Sequence, residues 1–107
     1  MQVEANKLDD AIAQLEWAKT ATKDQALSAI LNYRLARLQS EQGKFDAAIS
    51  QLASITDASW VGRVAELKGD ILLRKGDADG AYAAYTEAEQ AGDASQALKM
   101  KLDDLAK

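Results

Sequence analysis

The 107 residues include no cysteine, no histidine and no proline. Without cysteine there is neither a disulfide framework nor thiolate chemistry, although the compartment stays open. Without histidine the commonest general base and the commonest transition-metal ligand are missing. Aromatic residues make up 6% of the chain, and no apolar run reaches the roughly 18 residues that would cross a bilayer. No secretory hydrophobic region follows Met1. Charge of one sign never accumulates: 13 basic against 17 acidic residues give a net charge of −4. The longest like-charge runs are the pairs Asp9–Asp10, Asp103–Asp104 and Arg74–Lys75. That argues against a basic nucleic-acid-binding stripe. The acidic pairs are sequence neighbours, so on a helix they point to different sides and form no acid–base dyad. No glycine-rich phosphate loop and no calcium-loop spacing is present. Enzymatic chemistry is therefore not expected, and neither a cofactor nor a metal is implied.

What is present favours helix. The chain is 48% hydrophobic and rich in Ala, Leu, Gln, Glu and Lys, and β-branched residues never alternate with period two. Six helical stretches can be read. The first, about 7–19, places Leu8, Ile12 and Leu15 on one face. The second, about 23–42, opens on a Thr22/Gln25 capping-box pattern, carries the stripe Leu27, Leu31, Leu35 and Leu38, and stops at Gly43. The third, about 45–55, turns Phe45, Ala48, Ile49 and Leu52 inward. The fourth, about 60–75, is capped by Asp57 or Ser59, has Trp60, Val64, Leu67 and Ile71 on its stripe, and ends at Gly76. The fifth, about 78–91, follows a cap at Asp77 and turns Ala81, Tyr85 and Ala88 inward. The sixth, about 94–106, starts at Asp93 with Gln96 and aligns Leu98, Leu102 and Leu105. Loops of two to five residues between helices force antiparallel neighbours.

The hairpins repeat. A spacing of 33 residues separates Gly43 from Gly76, Ala48 from Ala81, and Ala36 from Gly69. A period near 34 in helix–turn–helix units reads as a tetratricopeptide repeat. Small residues at Ala36, Gly69, Ala48 and Ala81 let paired helices approach closely, and Leu52 and Tyr85 are expected to fill the space between adjacent hairpins. The expected architecture is all-α: a tetratricopeptide-repeat-like solenoid of antiparallel helical hairpins with a C-terminal capping helix, over one domain, 1–107. Within it, 7–19 reads as a half repeat, 23–56 and 60–91 as repeats, and 94–106 as the cap, with Lys99, Lys101, Asp103 and Asp104 facing water. In the half repeat, Ala11, Leu15 and Ala18 match Ala48, Leu52 and Ile55, and the partner helix is expected before residue 1.

Such repeats line a concave face with the first helix of each hairpin. The partner-groove positions are then Ile30, Tyr33, Arg37, Ser40 and Glu41, followed by Arg63, Glu66, Asp70, Leu73 and Arg74. Tyr33 and Arg37 are the natural anchors, since Tyr and Arg dominate interface hot spots. Glu66 and Asp70 would repel a peptide carboxylate. Trp60 reads as packing. Trp17 sits where the half repeat leaves apolar surface uncovered, which suggests self-association through the first helix.

From Asn32 onward the chain resembles a known family. The run Tyr33-Arg34-Leu35-Ala36-Arg37-Leu38, the segment from Trp60 through Ala65-Glu66-Leu67-Lys68-Gly69-Asp70-Ile71-Leu72-Leu73 and Arg74-Lys75-Gly76-Asp77, and the closing Ala97-Leu98-Lys99-Met100-Lys101-Leu102-Asp103-Asp104-Leu105 look like YfgM-type ancillary subunits of the SecYEG translocon. The resemblance implies a chaperone-like, protein-binding role at the periplasmic face of the bacterial inner membrane. It implies as partners the translocon and a membrane-anchored periplasmic folding factor. The chain as given lacks the family's N-terminal membrane anchor and first helix, and reads as soluble. The rival readings are a cytoplasmic repeat adaptor and a self-associating structural subunit, neither with an export role.

Overall fold

The computed structural model describes residues 2–92 and 95–105. Six α-helices are formed: α1 (Gln2–Ala21), α2 (Gln25–Glu41), α3 (Phe45–Ala53), α4 (Val61–Lys75), α5 (Ala78–Gln90) and α6 (Gln96–Leu105), with a 3-10 turn at Ala58–Trp60. No strand occurs among the described residues. The residues gather into two compact units, Met1–Ile55 and Thr56–Lys107.

The helix ends follow the side chains that can satisfy orphan backbone groups. Asp24, not Thr22, caps α2: its carboxylate accepts from Ala26 N at 2.9 Å and from Leu27 N at 3.4 Å. Thr22 Oγ1 instead accepts from Asp24 N at 3.1 Å. The helix accordingly starts at Gln25, two residues after the expected position. Asp57 caps the 3-10 turn through Ser59 N at 2.9 Å. The backbone and hydroxyl hydrogen bonds from Ser59 hold its carboxyl below the usual carboxylate range. Asp77 caps α5 through Gly80 N at 2.9 Å. The expected start of α6 at Asp93 lies outside the described residues. Ser95 accepts from Leu98 N at 3.2 Å, a cap the sequence reading passed over.

Both hairpin turns close the same way. Gly43 and Gly76 have φ of 82° and 98°, the left-handed conformation. Beyond each glycine, the next amide reaches back five residues, Lys44 N to Gln39 O at 2.9 Å and Asp77 N to Leu72 O at 2.8 Å. This is the Schellman pattern, repeated at the 33-residue interval seen in the sequence.

In the first unit α2 packs on α1 and α3. Leu31, Leu35, Ala36, Ala48 and Leu52 are buried as expected. Leu27 departs from its stripe and is exposed. The nine residues of α3 are about 14 Å long, too short to reach the first turn of α2. Asn32 and Gln39 are buried on the same helix, and Asn32 Oδ1 and Gln39 Oε1 find no partner among the described residues. In the second unit α4 and α5 form the hairpin and α6 packs on α5. Ala65, Ala81, Tyr85, Ala88 and Leu98 make the core, with Leu72, Leu102 and Leu105 against it.

Candidate functional site

The Tyr85 ring explains the small residue opposite it. Tyr85 is 0% exposed. A Cβ added at Gly69 would come within 2.5 Å of Tyr85 Cε1, so only glycine admits the ring at this crossing. The ring therefore sits against Gly69 of its own hairpin and shares a core cluster with Leu98 of α6, the helix that follows. Its hydroxyl donates to Asp70 Oδ1 at 2.5 Å.

Asp70 is also held from α6. Lys101 Nζ lies 2.9 Å from Glu66 Oε2 and 3.0 Å from Asp70 Oδ1, and its ammonium stands 5.6 Å from the Tyr85 ring centroid. Lys101 therefore does not project into water as expected; Lys99, Asp103 and Asp104 do. Two carboxylates one turn apart give the ammonium two ionised acceptors, and hydrogen bonds between ionised partners are shorter and stronger than neutral ones. Burial raises the Tyr85 pKa, and the hydrogen bond to Asp70 and the nearby negative charge raise it further. Burial by itself would lower the Lys101 pKa; the hydrogen bonds to Glu66 and Asp70 outweigh it and hold it above the ordinary value. The two carboxylates proposed as groove residues are thus engaged within the unit by α6.

The remaining candidates are dispersed. On α4, Arg63 stacks its guanidinium 5.0 Å from the half-buried Trp60 ring, while Leu73 and Arg74 are exposed. On α2, Ile30, Arg37 and Glu41 are exposed, Tyr33 is half-buried and Ser40 is buried.

The structure also shows a feature that the sequence reading did not assemble. Between α1 and α2 runs an open groove of about 560 Å³. Ala11, Leu15 and Ala18 form its floor, and Arg34, Arg37, Leu38 and Glu41 its other wall. It brings together two expected groove residues, Arg37 and Glu41, with Arg34, which was singled out for no role of its own. The signal was available: Arg34, Leu38 and Glu41 are spaced four and three apart, on one helix face. Trp17 stands beside this groove, 73% exposed, lining a shallower recess with Ala13, Gln14 and Ala18. Among the described residues, no group of three metal-binding side chains gathers, and no helix is long and apolar enough to cross a membrane.

Paired helices joined by left-handed glycine turns at a constant interval, with small residues at each crossing, match one family throughout. The sequence model of the tetratricopeptide repeat-like domain covers residues 1–107. The chain belongs to the tetratricopeptide repeat-like family. Its all-α hairpins are the family's helical pairs. Among curated proteins it is 40% identical over 107 residues to the ancillary SecYEG translocon subunit of Escherichia coli K12, across 96% of this chain and 52% of that protein. The subunit of the same name from Haemophilus influenzae is 37% identical over 97 residues, across 89% of this chain and 48% of the relative. That of Neisseria gonorrhoeae is 29% identical over 108 residues, across 97% and 52%. The chain spans about half the length of these relatives.

Proposed function

We propose that this chain is the protein-docking part of an ancillary translocon subunit, working at the periplasmic face of the inner membrane on polypeptides that emerge there. The observation that carries the reading is the 40% identity to an ancillary SecYEG translocon subunit, which extends over nearly the whole chain. The helical-hairpin fold supports it, because such repeats act by presenting helix faces to other polypeptides. The exposed side chains suit the same role. Arg37 and Glu41 on α2, with Tyr33 half-buried beside them, offer an aromatic and charged surface of the kind that anchors interfaces. On α4, Arg63, Leu73 and Arg74 are the exposed counterparts. A translocon subunit and a membrane-anchored periplasmic folding factor are the expected partners, and the role is chaperone-like.

The test is photo-crosslinking in cells, with a photoreactive residue at Arg37 or Arg74 of the full-length protein. Translocon subunits and periplasmic folding factors should be enriched over a control position on the far side of the same helices. Recovery of cytoplasmic proteins alone would overturn the reading in favour of an adaptor without an export role.

A further inference from the structure

Helix α6 is held differently from the two helices it lies against. It is ten residues long, below the roughly 12–15 at which an isolated helix becomes even marginally stable in water. Its helical state therefore depends on packing. Among its described side chains Leu98 alone is fully buried, and Leu102 and Leu105 are half-buried. Its exposed side carries Gln96, Lys99, Met100, Asp103 and Asp104, which are mostly polar, so its hold on the unit is inward.

The hairpin beside it is anchored on its own account. Helix α4 buries Ala65, Leu67, Gly69 and Ile71, and α5 buries Ala81, Ala84, Tyr85 and Ala88. The Tyr85 ring on Gly69 and the Tyr85 hydroxyl on Asp70 join these two helices without any atom of α6. What ties α6 to α4 is Lys101, 2.9 Å from Glu66 Oε2 and 3.0 Å from Asp70 Oδ1, with its side chain about one-third exposed. An ion pair this exposed contributes modestly, so it can break while a packed core stays shut.

We propose that α6 is a strap that opens as a unit while the α4–α5 hairpin stays folded, with Lys101 as its catch. Seated, α6 neutralises the acidic pair Glu66 and Asp70 and covers part of the Tyr85 cluster. Open, it leaves on α4 two uncompensated carboxylates one turn apart, beside apolar surface. The strap goes beyond the docking role: it sets when those two positions are available at all.

The test is amide hydrogen exchange of the intact 107-residue chain, followed by NMR at low urea concentrations. The amides from Met100 to Leu105 should share one opening. It should be at least about tenfold more frequent than the opening that exposes the amides of Ile71 and Tyr85, and it should grow with urea, as fraying of a helix end does not. Ile71 is fully buried on α4 and is not among the residues clustered with Leu98. Ile71→Val should therefore speed exchange of α4 and α5 about fivefold and leave α6 unchanged. Lys101→Met should speed exchange in α6 about threefold, and Lys101→Arg should keep most of the protection. Every opening that unseats α6 breaks the catch, so Lys101→Met should speed α4 and α5 by the same factor. The strap is overturned if α6 exchanges in step with α4 and α5, or if Ile71→Val speeds α6 as much as the hairpin, because α6 then opens only with the whole unit. Exchange in α6 that is indifferent to Lys101→Met overturns the catch, and with it the proposal. Any of these results leaves the docking role standing, since crosslinking at Arg37 or Arg74 does not depend on a moving α6.

Discussion

Helices α1 and α5 make the same kind of offer and are treated differently. Each sets small residues and one larger one three to four apart: Ala11, Leu15 and Ala18 in α1, and Ala81, Tyr85 and Ala88 in α5. Helix α5 has α4 on one flank and α6 on the other, and all three of its residues are buried. Helix α1 has α2 alone among the neighbours with extensive contact, and it buries none of its described side chains fully. Burial in a repeat is thus decided by how many neighbours a helix has, more than by its own composition. One pattern builds a core in the second unit and an open surface in the first.

The comparison breaks most visibly at the large residue. Tyr85→Ala should cost about 3–5 kcal/mol, the range for emptying a fully buried aromatic site. Leu15→Ala at the matching place in α1 should cost well under half of that, because the side chain is already partly in water. Urea denaturation of the two variants, read by circular dichroism, decides the point; equal losses would show α1 to be as enclosed as α5. The small residues give the next effect. Gly69→Ala should destabilise by about 1–3 kcal/mol despite alanine's better helix propensity, since the added carbon would lie 2.5 Å from the Tyr85 ring. The opposite change in the first unit, Ala36→Gly, should cost about 1 kcal/mol through propensity. A stabilised Gly69→Ala would mean that the ring is free to move aside.

These contrasts mark what a single sequence can carry. The hairpins, their turns and the inward faces of α3 and α5 follow from spacing: a left-handed glycine must end a helix, and residues three to four apart must share a face. The cap of α2 was harder, because Thr22 and Asp24 both qualify chemically and only the geometry of the preceding turn selects Asp24. The place of Lys101 was not legible. Lys99, Lys101, Asp103 and Asp104 look alike as surface residues of a short helix, and the choice among them depends on how α6 lies against α4 and α5. The partner of Tyr85 was within reach, since a buried tyrosine hydroxyl needs an acceptor and Asp70 adjoins the glycine that admits the ring. The groove between α1 and α2 was half legible. Its floor was read as a half repeat, but its Arg34 wall depends on tertiary contact.

The smallest effects concern charge, and they too divide the units. Lys101→Met should lower stability by about 0.5–1 kcal/mol, because the ion pairs are about one-third exposed and solvent weakens them. Arg37→Met, on the exposed groove wall of the first unit, should change stability by less than about 0.5 kcal/mol. Alkaline titration sharpens the contrast. Tyr85 and Lys101 both have pKa values raised by folding. Above about pH 10 the unfolded chain therefore gives up these protons while the folded chain keeps them, and stability falls as pH rises. Below that range both groups are protonated in either state, and their contribution is fully present. Denaturation midpoints between pH 8 and pH 11 should drop, and a Tyr85→Phe, Lys101→Met variant should flatten the drop. An unchanged slope in that variant would show that the buried hydroxyl and its ammonium neighbour do not hold their protons against the solvent, and that α6 is not pinned to α4 by charge.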